Sequence, residues 1–304
     1  MNRVRTQIEC TDDLLPVKNG VPVGVAVLDT GIANHPDFRN RIIDFYDFIN
    51  GKRHLYDDSG HGTHVAGCIG GDGHMSGGKY RGIHPGCNFV VGKVLNANGE
   101  GNLKDMVNGL EWILQCAEKY NICVVNISVG VTDTKEKELL ERMFELIEET
   151  WKRNILIVCA AGNTGPKPMS ISLLGTGKHI ISVGCHDGDY FKNKEGTCEV
   201  YSGRGPSPYE IKKPDLVAPG TDIVSCNAAY RFGNRRYGAA YIKKSGTSMS
   251  TPVVTGAVAL LVQRYGNMGC EEIKRRLVYS AVDLKEPWTK QGWGMLNVRR
   301  LLEV

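Results

Sequence analysis

The chain has 304 residues, 41% hydrophobic and 23% charged, proportions that support a sizeable core and exclude disorder as its main state. Its 37 Lys plus Arg against 33 Asp plus Glu leave a formal charge of +4, too small and too dispersed to announce a nucleic-acid or anionic-membrane partner. No run in the sequence approaches the roughly 18 uninterrupted apolar residues of a transmembrane helix.

The first residues, MNRVRTQIECTDD, reach Glu9, Asp12 and Asp13 where a secretory signal needs its apolar stretch, so a cytoplasmic protein is expected. Ten cysteines fall mostly inside apolar runs such as CVVNIS and ILIVCAAG, and none shows Cys-x-x-Cys spacing. Buried, reduced thiols are the expectation, with no metal role.

In chain order, short apolar strands are predicted at 23–29, 88–95, 122–128, 155–161 and 179–185, each bounded by Gly, Asn or Pro. Between them, Leu103, Met106, Val107, Leu110, Ile113, Leu114 and Ala117 recur at helical spacing. A second helix is predicted from Leu140, Phe144, Ile147 and Trp151, its charge run from Lys135 to Arg142 reading as a solvated face. A third apolar helical run spans Pro252 to Val262, with Pro252 placed in its first turn. Strands alternating with amphipathic helices predict an α/β fold: one domain with a doubly wound, mostly parallel sheet and helices on both faces. Loops at the carboxyl ends of such strands are where ligands and chemistry collect.

Three segments stand out: Asp29-Thr30-Gly31 at the end of the first strand, His61-Gly62-Thr63-His64, and Gly246-Thr247-Ser248 ahead of the third helix. A serine hydroxyl becomes nucleophilic when a histidine takes its proton and a carboxylate holds that histidine's tautomer. Ser248 near a helix N-terminus presents its own N–H to an oxyanion, and Asn163, after the strand at 155–161, offers a second donor from its side chain.

Simpler readings apply to each residue alone. Asp29 by itself is compatible with a turn residue. A second Asp-Thr-Gly, which paired-carboxylate proteases require, is missing. His61 and His64 lack the Glu and the spacing of a zinc helix, and His64 is expected to make a structural hydrogen bond. Cys68 shares a helix face with His61 and reads as a packed small hydrophobe rather than a reactive thiol. No Gly-x-Gly-x-x-Gly follows the first strand, which argues against a dinucleotide site.

Taken together, the chain resembles the subtilisin-type serine proteases. The likeness runs over residues 20 to 265 through VAVLDTGIANHPDF, DDSGHGTHVAG, YRGIHPGCNFVVGKVL, VVNISVG, CAAGN, KKPDLVAPGTDI and SGTSMSTP. It implies a triad of Asp29, His61 and Ser248, with Asn163 as oxyanion donor, in a serine endopeptidase acting on peptide or protein substrates. It also implies that substrate backbone pairs between Ser128-Val129-Gly130 and Gly99-Glu100-Gly101. Leu103 and Met106 would line an apolar pocket, Glu100 would favour a basic residue at the rim, and Thr164 would border the primary pocket. The resemblance is strongest to the bacterial intracellular subtilisins. It divides the chain into an N-terminal segment, 1–20, either a docking or an inhibitory element with Pro16 resisting cleavage, and a peptidase domain, 21–304. No cofactor is expected. Asp37 matches a calcium-binding position of some relatives, yet the partner loop GGDGHMSGGKYRG lacks a clear ligand set. Substrate breadth, from general proteolysis to processing of one precursor, and oligomeric state are left open. An inactive peptide-binding scaffold is the competing class, opposed by the intact quartet of residues.

Overall fold

The computed structural model describes residues 1–15, 21–130, 136–191, 196–209, 211–230, 238–266 and 268–303. Seven strands form one parallel sheet: β1 (Gly24–Asp29), β2 (Ile42–Asp47), β3 (Asn88–Lys93), β4 (Ile122–Ile127), β5 (Leu156–Ala160), β6 (Ile180–Cys185) and β7 (Leu216–Ala218). Their order is β2-β3-β1-β4-β5-β6-β7, as a doubly wound α/β sheet requires. A two-stranded antiparallel sheet pairs β8 (Ile223–Cys226) with β9 (Tyr241–Lys244). The helices are α1 (Asn2–Gln7), α2 (His61–Gly70), α3 (Leu103–Cys116), α4 (Lys137–Lys152), α5 (Cys198–Tyr201), α6 (Thr247–Tyr265), α7 (Cys270–Ser280), α8 (Trp288–Gln291) and α9 (Val298–Glu303).

Alternation along β1 shows how both faces are filled. Val25 and Val27 point into the apolar cluster formed with α2 and α6, while Ala26 and Leu28 join the opposite cluster, with α3 and α4. The α3 stripe is buried as predicted, and Asn102 caps its first turn by accepting from the Asp105 N–H at 2.7 Å. In α4 the fully buried positions are Met143, Leu146, Ile147 and Thr150, so the predicted stripe is rotated by about one residue and Phe144 and Leu140 are only partly covered. The charged residues from Glu136 to Arg142 on α4 and its N-cap face solvent, and Lys135 lies outside the described residues. A further correction concerns α6. It begins at Thr247, so Pro252 is inside the helix rather than in its first turn, and its ring withholds a hydrogen bond from the Ser248 carbonyl.

Residues 1–15 are packed onto the domain. Met1, Val4, Ile8, Cys10 and Leu14 join the α2–α6 cluster. Arg5 donates to the Gly82 carbonyl at 2.8 Å, and Val298 N–H donates to the Ile8 carbonyl at 2.7 Å. Pro16 lies outside the described residues. Two of the ten cysteines depart from expectation: Cys185 and Cys198 form a disulfide, with Cα atoms 5.8 Å apart. The other eight are free and buried. Among the described residues no helix is long and apolar enough to cross a membrane.

Candidate active site

Asp29 is the last residue of β1 and is fully buried. Its Oδ1 accepts the Thr30 N–H at 2.7 Å and meets His61 Nδ1 at 2.7 Å. Its Oδ2 has no partner among the described residues. With Nδ1–H donated to the carboxylate, the lone pair of His61 is left on Nε2, the tautomer that a general base needs. Burial pulls the His61 pKa down, but the charge and hydrogen bond of Asp29, aided by Asp57 and opposed by Lys244, carry it above its ordinary 6.5.

His61 opens α2, and the chain there is shaped to bring it onto Asp29. A Cβ on Gly62 would stand 2.2 Å from the Gly31 carbonyl oxygen and 3.2 Å from the Asp29 carboxylate, so only glycine lets the helix approach so closely. Asp57 holds the same junction. Its Oδ1 accepts from Thr30 Oγ1 and Gly60 N–H, its Oδ2 from Thr63 N–H and Oγ1, all within 2.6 to 2.8 Å. A carboxylate at a helix N-terminus is favourably placed. His64 turns away from the site: its Nε2 meets the Ile223 and Ile242 carbonyls at 3.0 and 3.2 Å, and burial lowers its pKa to about 3. Cys68 is buried, its thiol pushed up to about 11 by that burial, which matches a packed hydrophobe and not a nucleophile.

Ser248 is the second residue of α6, so its N–H is among the first four that find no carbonyl within the helix. Gly246, at φ 141°, makes the turn into the helix and donates its N–H to the Gly220 carbonyl. Asn163 leaves the end of β5 and reaches this turn. Its Oδ1 accepts from both Thr247 N–H and Thr247 Oγ1 at 3.0 Å. A backbone N–H can only donate, so Oδ1 must face Thr247, and Nδ2 is left as a donor 3.5 Å from where a Cβ on Gly246 would stand, a point 3.8 Å from the Ser248 nitrogen. Among the described residues, the side-chain hydrogen bond of His61 goes to Asp29 and none reaches Ser248, as is common before a substrate tightens such contacts.

The remaining predicted residues lie in the loops that follow β3, β4 and β5 and at the start of α3. Ser128 is buried and Val129 half-buried after β4, while Gly130 is exposed. Ser128 Oγ accepts from Asn126 Nδ2 at 2.8 Å, and Asn126 Oδ1 accepts from Thr255 at 2.9 Å, which ties this edge to α6, the helix that carries Ser248. Gly99, Glu100 and Gly101 are exposed in a loop closed by the Asn96 N–H to Glu100 carbonyl bond. Leu103 and Met106 are buried in the cluster against which Val129 packs. Thr164 is exposed and donates to the Ser170 carbonyl at 3.2 Å. Sequence reading missed Thr247, Asp57 and Ser172; the last lies within 3.6 Å of where a Cβ on either Gly130 or Gly162 would stand. Only Asp57, four residues before His61, had a sequence signal, that of a capping carboxylate.

The groups around Asp37 do not fit calcium. Its oxygens accept from Met75 N–H at 3.1 Å and Tyr241 Oη at 2.8 Å, and its other neighbours are His35 Nδ1 and Cys226 Sγ, each 3.8 Å away. Calcium takes six to eight oxygen ligands, roughly speaking, and here one carboxylate faces an imidazole and a thiol.

An Asp–His pair at the head of α2, and a serine with an amide donor at the head of α6, are the equipment of a serine hydrolase built on an α/β sheet. A model of the Subtilase family matches residues 20–294, and the chain belongs to that family. Serine protease AprX of Bacillus subtilis (strain 168) is 38% identical over 268 residues, 85% of this chain and 61% of that protein. The chain thus spans less than two thirds of that relative. Subtilisin Savinase of Lederbergia lenta is 33% identical over 278 residues, 91% of this chain and 90% of that protein. Among solved structures, Sphericase superposes with a TM-score of 0.79 at 26% identity, covering 97% of both chains. The epidermin leader peptide processing serine protease of Staphylococcus aureus has the same TM-score at 22% identity, a likeness of fold.

Proposed function

We propose that the chain is a serine endopeptidase in which His61 takes the proton of Ser248, Ser248 attacks a peptide carbonyl, and Asn163 with the Ser248 N–H holds the oxyanion. Water then hydrolyses the acyl-enzyme, with His61 returning the proton to the leaving amine and activating the water. The observation that carries this reading is the 2.7 Å contact between His61 Nδ1 and the buried Asp29, which sets the tautomer. Substrate adds as a strand between Ser128–Gly130 and Gly99–Gly101, with Leu103, Met106, Glu100 and Thr164 bordering its side chains. The chemistry draws on side chains and backbone alone, so no cofactor is invoked, and the donors around Asp37 speak against calcium there.

Residues 1–15 act as a docking segment of the same domain, a reading supported by their place in the core and by the Arg5 and Ile8 hydrogen bonds. Deleting them should lower the melting temperature without raising activity, whereas higher activity would support inhibition. A cytoplasmic location is supported by the eight buried thiols, although the Cys185–Cys198 disulfide is unusual for that compartment. Treating the protein and its Ser248→Ala variant with a fluorophosphonate probe, followed by mass mapping, tests the mechanism. A single adduct on Ser248, absent from the variant, is expected. Folded protein that takes no adduct would favour a peptide-binding scaffold.

A further inference from the structure

Lys93, the last residue of β3, is a buried cation that the reaction as described does not use. Its side chain is 1% exposed, and a lysine is rarely so buried unless its ammonium is fully paired. All three of its protons are placed. Nζ donates to the Thr30 carbonyl at 2.8 Å, to Asp58 Oδ1 at 2.7 Å and to the Leu95 carbonyl at 2.6 Å. It also lies 5.3 Å from the centre of the Tyr56 ring.

These acceptors belong to three different parts of the site. Thr30 follows Asp29, and Lys93 is the β-ladder partner of Asp29. Asp58 belongs to the segment entering α2, next to Asp57, which caps the His61 helix. Leu95 begins the loop that carries Gly99 to Gly101. A Cβ on Gly101 would be 2.5 Å from the Val94 carbonyl oxygen and 2.6 Å from Leu95, so the far end of that loop rests directly on the residues that Lys93 anchors. The Asp29 carbonyl accepts from both Val94 and Leu95 N–H, at 2.9 and 3.2 Å, closing the same turn from the other side.

We propose that Lys93 is a positioning residue that locks the substrate-edge loop, Leu95 to Gly101, to the Asp29–His61 pair. Binding energy gathered along an extended peptide accelerates a reaction only if the surface that gathers it is rigidly placed against the reacting groups. The ammonium supplies that rigidity by bridging the loop's root, the strand end beside the carboxylate and the segment entering the His61 helix. The inference rests on the peptidase reading above.

The test compares kcat/KM for a tetrapeptide anilide and for a single-residue ester with the same residue before the scissile bond, each normalised to fluorophosphonate-titrated sites. Lys93→Met should reduce the advantage of the longer substrate by about tenfold or more, mainly in kcat, because remote binding energy is no longer delivered to the transition state. Asp58→Ala removes the one anchor that stands at the surface, so water can take the place of its carboxylate beside the ammonium; removing one of the three anchors should cut the same ratio about threefold. Equal proportional losses on both substrates, as a merely structural role gives, would overturn the proposal. Should Lys93→Met fail to fold, an unchanged ratio in Asp58→Ala overturns it. Wild-type protein that is not labelled at Ser248 would instead overturn the peptidase reading itself, and the two failures are therefore distinct.

Discussion

Replacing Asp29 by Asn separates the charge at the site from its shape. The amide is nearly isosteric, and its oxygen can still accept from Thr30 N–H, which bonds Oδ1 at 2.7 Å in the native protein. What disappears is a full negative charge 2.7 Å from His61 Nδ1. The imidazolium formed as Ser248 attacks has its charge centred about 4 Å from that carboxylate, which at an effective dielectric of about 20 is worth about 4 kcal/mol. Each 1.4 kcal/mol or so is tenfold in rate, so kcat should fall by about three powers of ten. The pH profile should move as well. His61 must be neutral to act, and its pKa is raised by Asp29, so wild-type activity should be lost as the pH falls through a value above 6.5. In Asp29→Asn burial and Lys244 act against only the more distant Asp57, and the limb of the residual activity should shift below its wild-type position. The stability sign runs with the same proton. A raised His61 pKa stabilises the fold fully below the unfolded value of about 6.5 and loses that contribution as pH rises through the folded value, so the substitution should lower the melting temperature more at pH 6 than at pH 8. Turnover of purified, folded Asp29→Asn on a chromogenic peptide, from pH 5.5 to 9, checks both. Activity within about tenfold of wild type, or an unmoved acid limb, would refute the assignment of Asp29 as the charge behind His61.

Asn163→Ala should lower kcat by about 10² to 10³ with KM little changed, a magnitude known from a subtilisin rather than worked out for this chain; steady-state kinetics that leave kcat intact would show that its amide does not reach the oxyanion. Gly62→Ala places a Cβ 2.2 Å from the Gly31 carbonyl, so α2 must shift away from Asp29. We expect about 1–3 kcal/mol of destabilisation in urea titration and a disproportionate loss of turnover, and wild-type values for both would show that the approach is not tight. His64 is fully buried with its pKa lowered to about 3, so the unfolded chain binds a proton that the folded one refuses. Stability should fall with pH below about 6.5, by about 1.4 kcal/mol per unit from this group, and a pH series of chemical unfolding on wild type and a folded His64→Gln variant should show a shallower acid slope in the variant.

What the sequence discloses depends on whether the deciding contact is local. The five predicted strands are buried on both faces and read as continuous apolar runs. β2, an edge strand, offers no such run: Asp44 and Asp47 break it after every two apolar residues, and Asp47 is nonetheless buried, its Oδ1 accepting from Ile49 and Asn50 N–H. β7 has three residues, too short for any periodicity. In α4 the pairs Leu139–Leu140, Met143–Phe144 and Leu146–Ile147 offer two overlapping apolar stripes of equal merit. Packing against the sheet chose the stripe through Met143 and Leu146. The disulfide is hidden for a like reason, since Cys198 returns to β6 across thirteen residues with no regular spacing.

The same distinction runs through the site. Asp29, His61, Ser248 and Asn163 stand at strand ends and helix starts, where Gly and Thr neighbours mark the turns, so the sequence singles out all four as candidates. It does not single out the groups that aim them. Asn163 is turned by Thr247, 84 positions away, through two hydrogen bonds to one oxygen. Lys93 reads in sequence as a charge closing a strand, and only the fold shows its ammonium reaching Thr30 and Asp58, 63 and 35 positions distant. A reacting group can be recognised by type and local turn, whereas a positioning group is defined by what converges on it, and convergence is a property of the packed sheet. Sequence features alone therefore rank the candidate triad without Lys93, and the proposed role of that ammonium is what comparing Lys93→Met and Asp58→Ala on short and extended peptides measures.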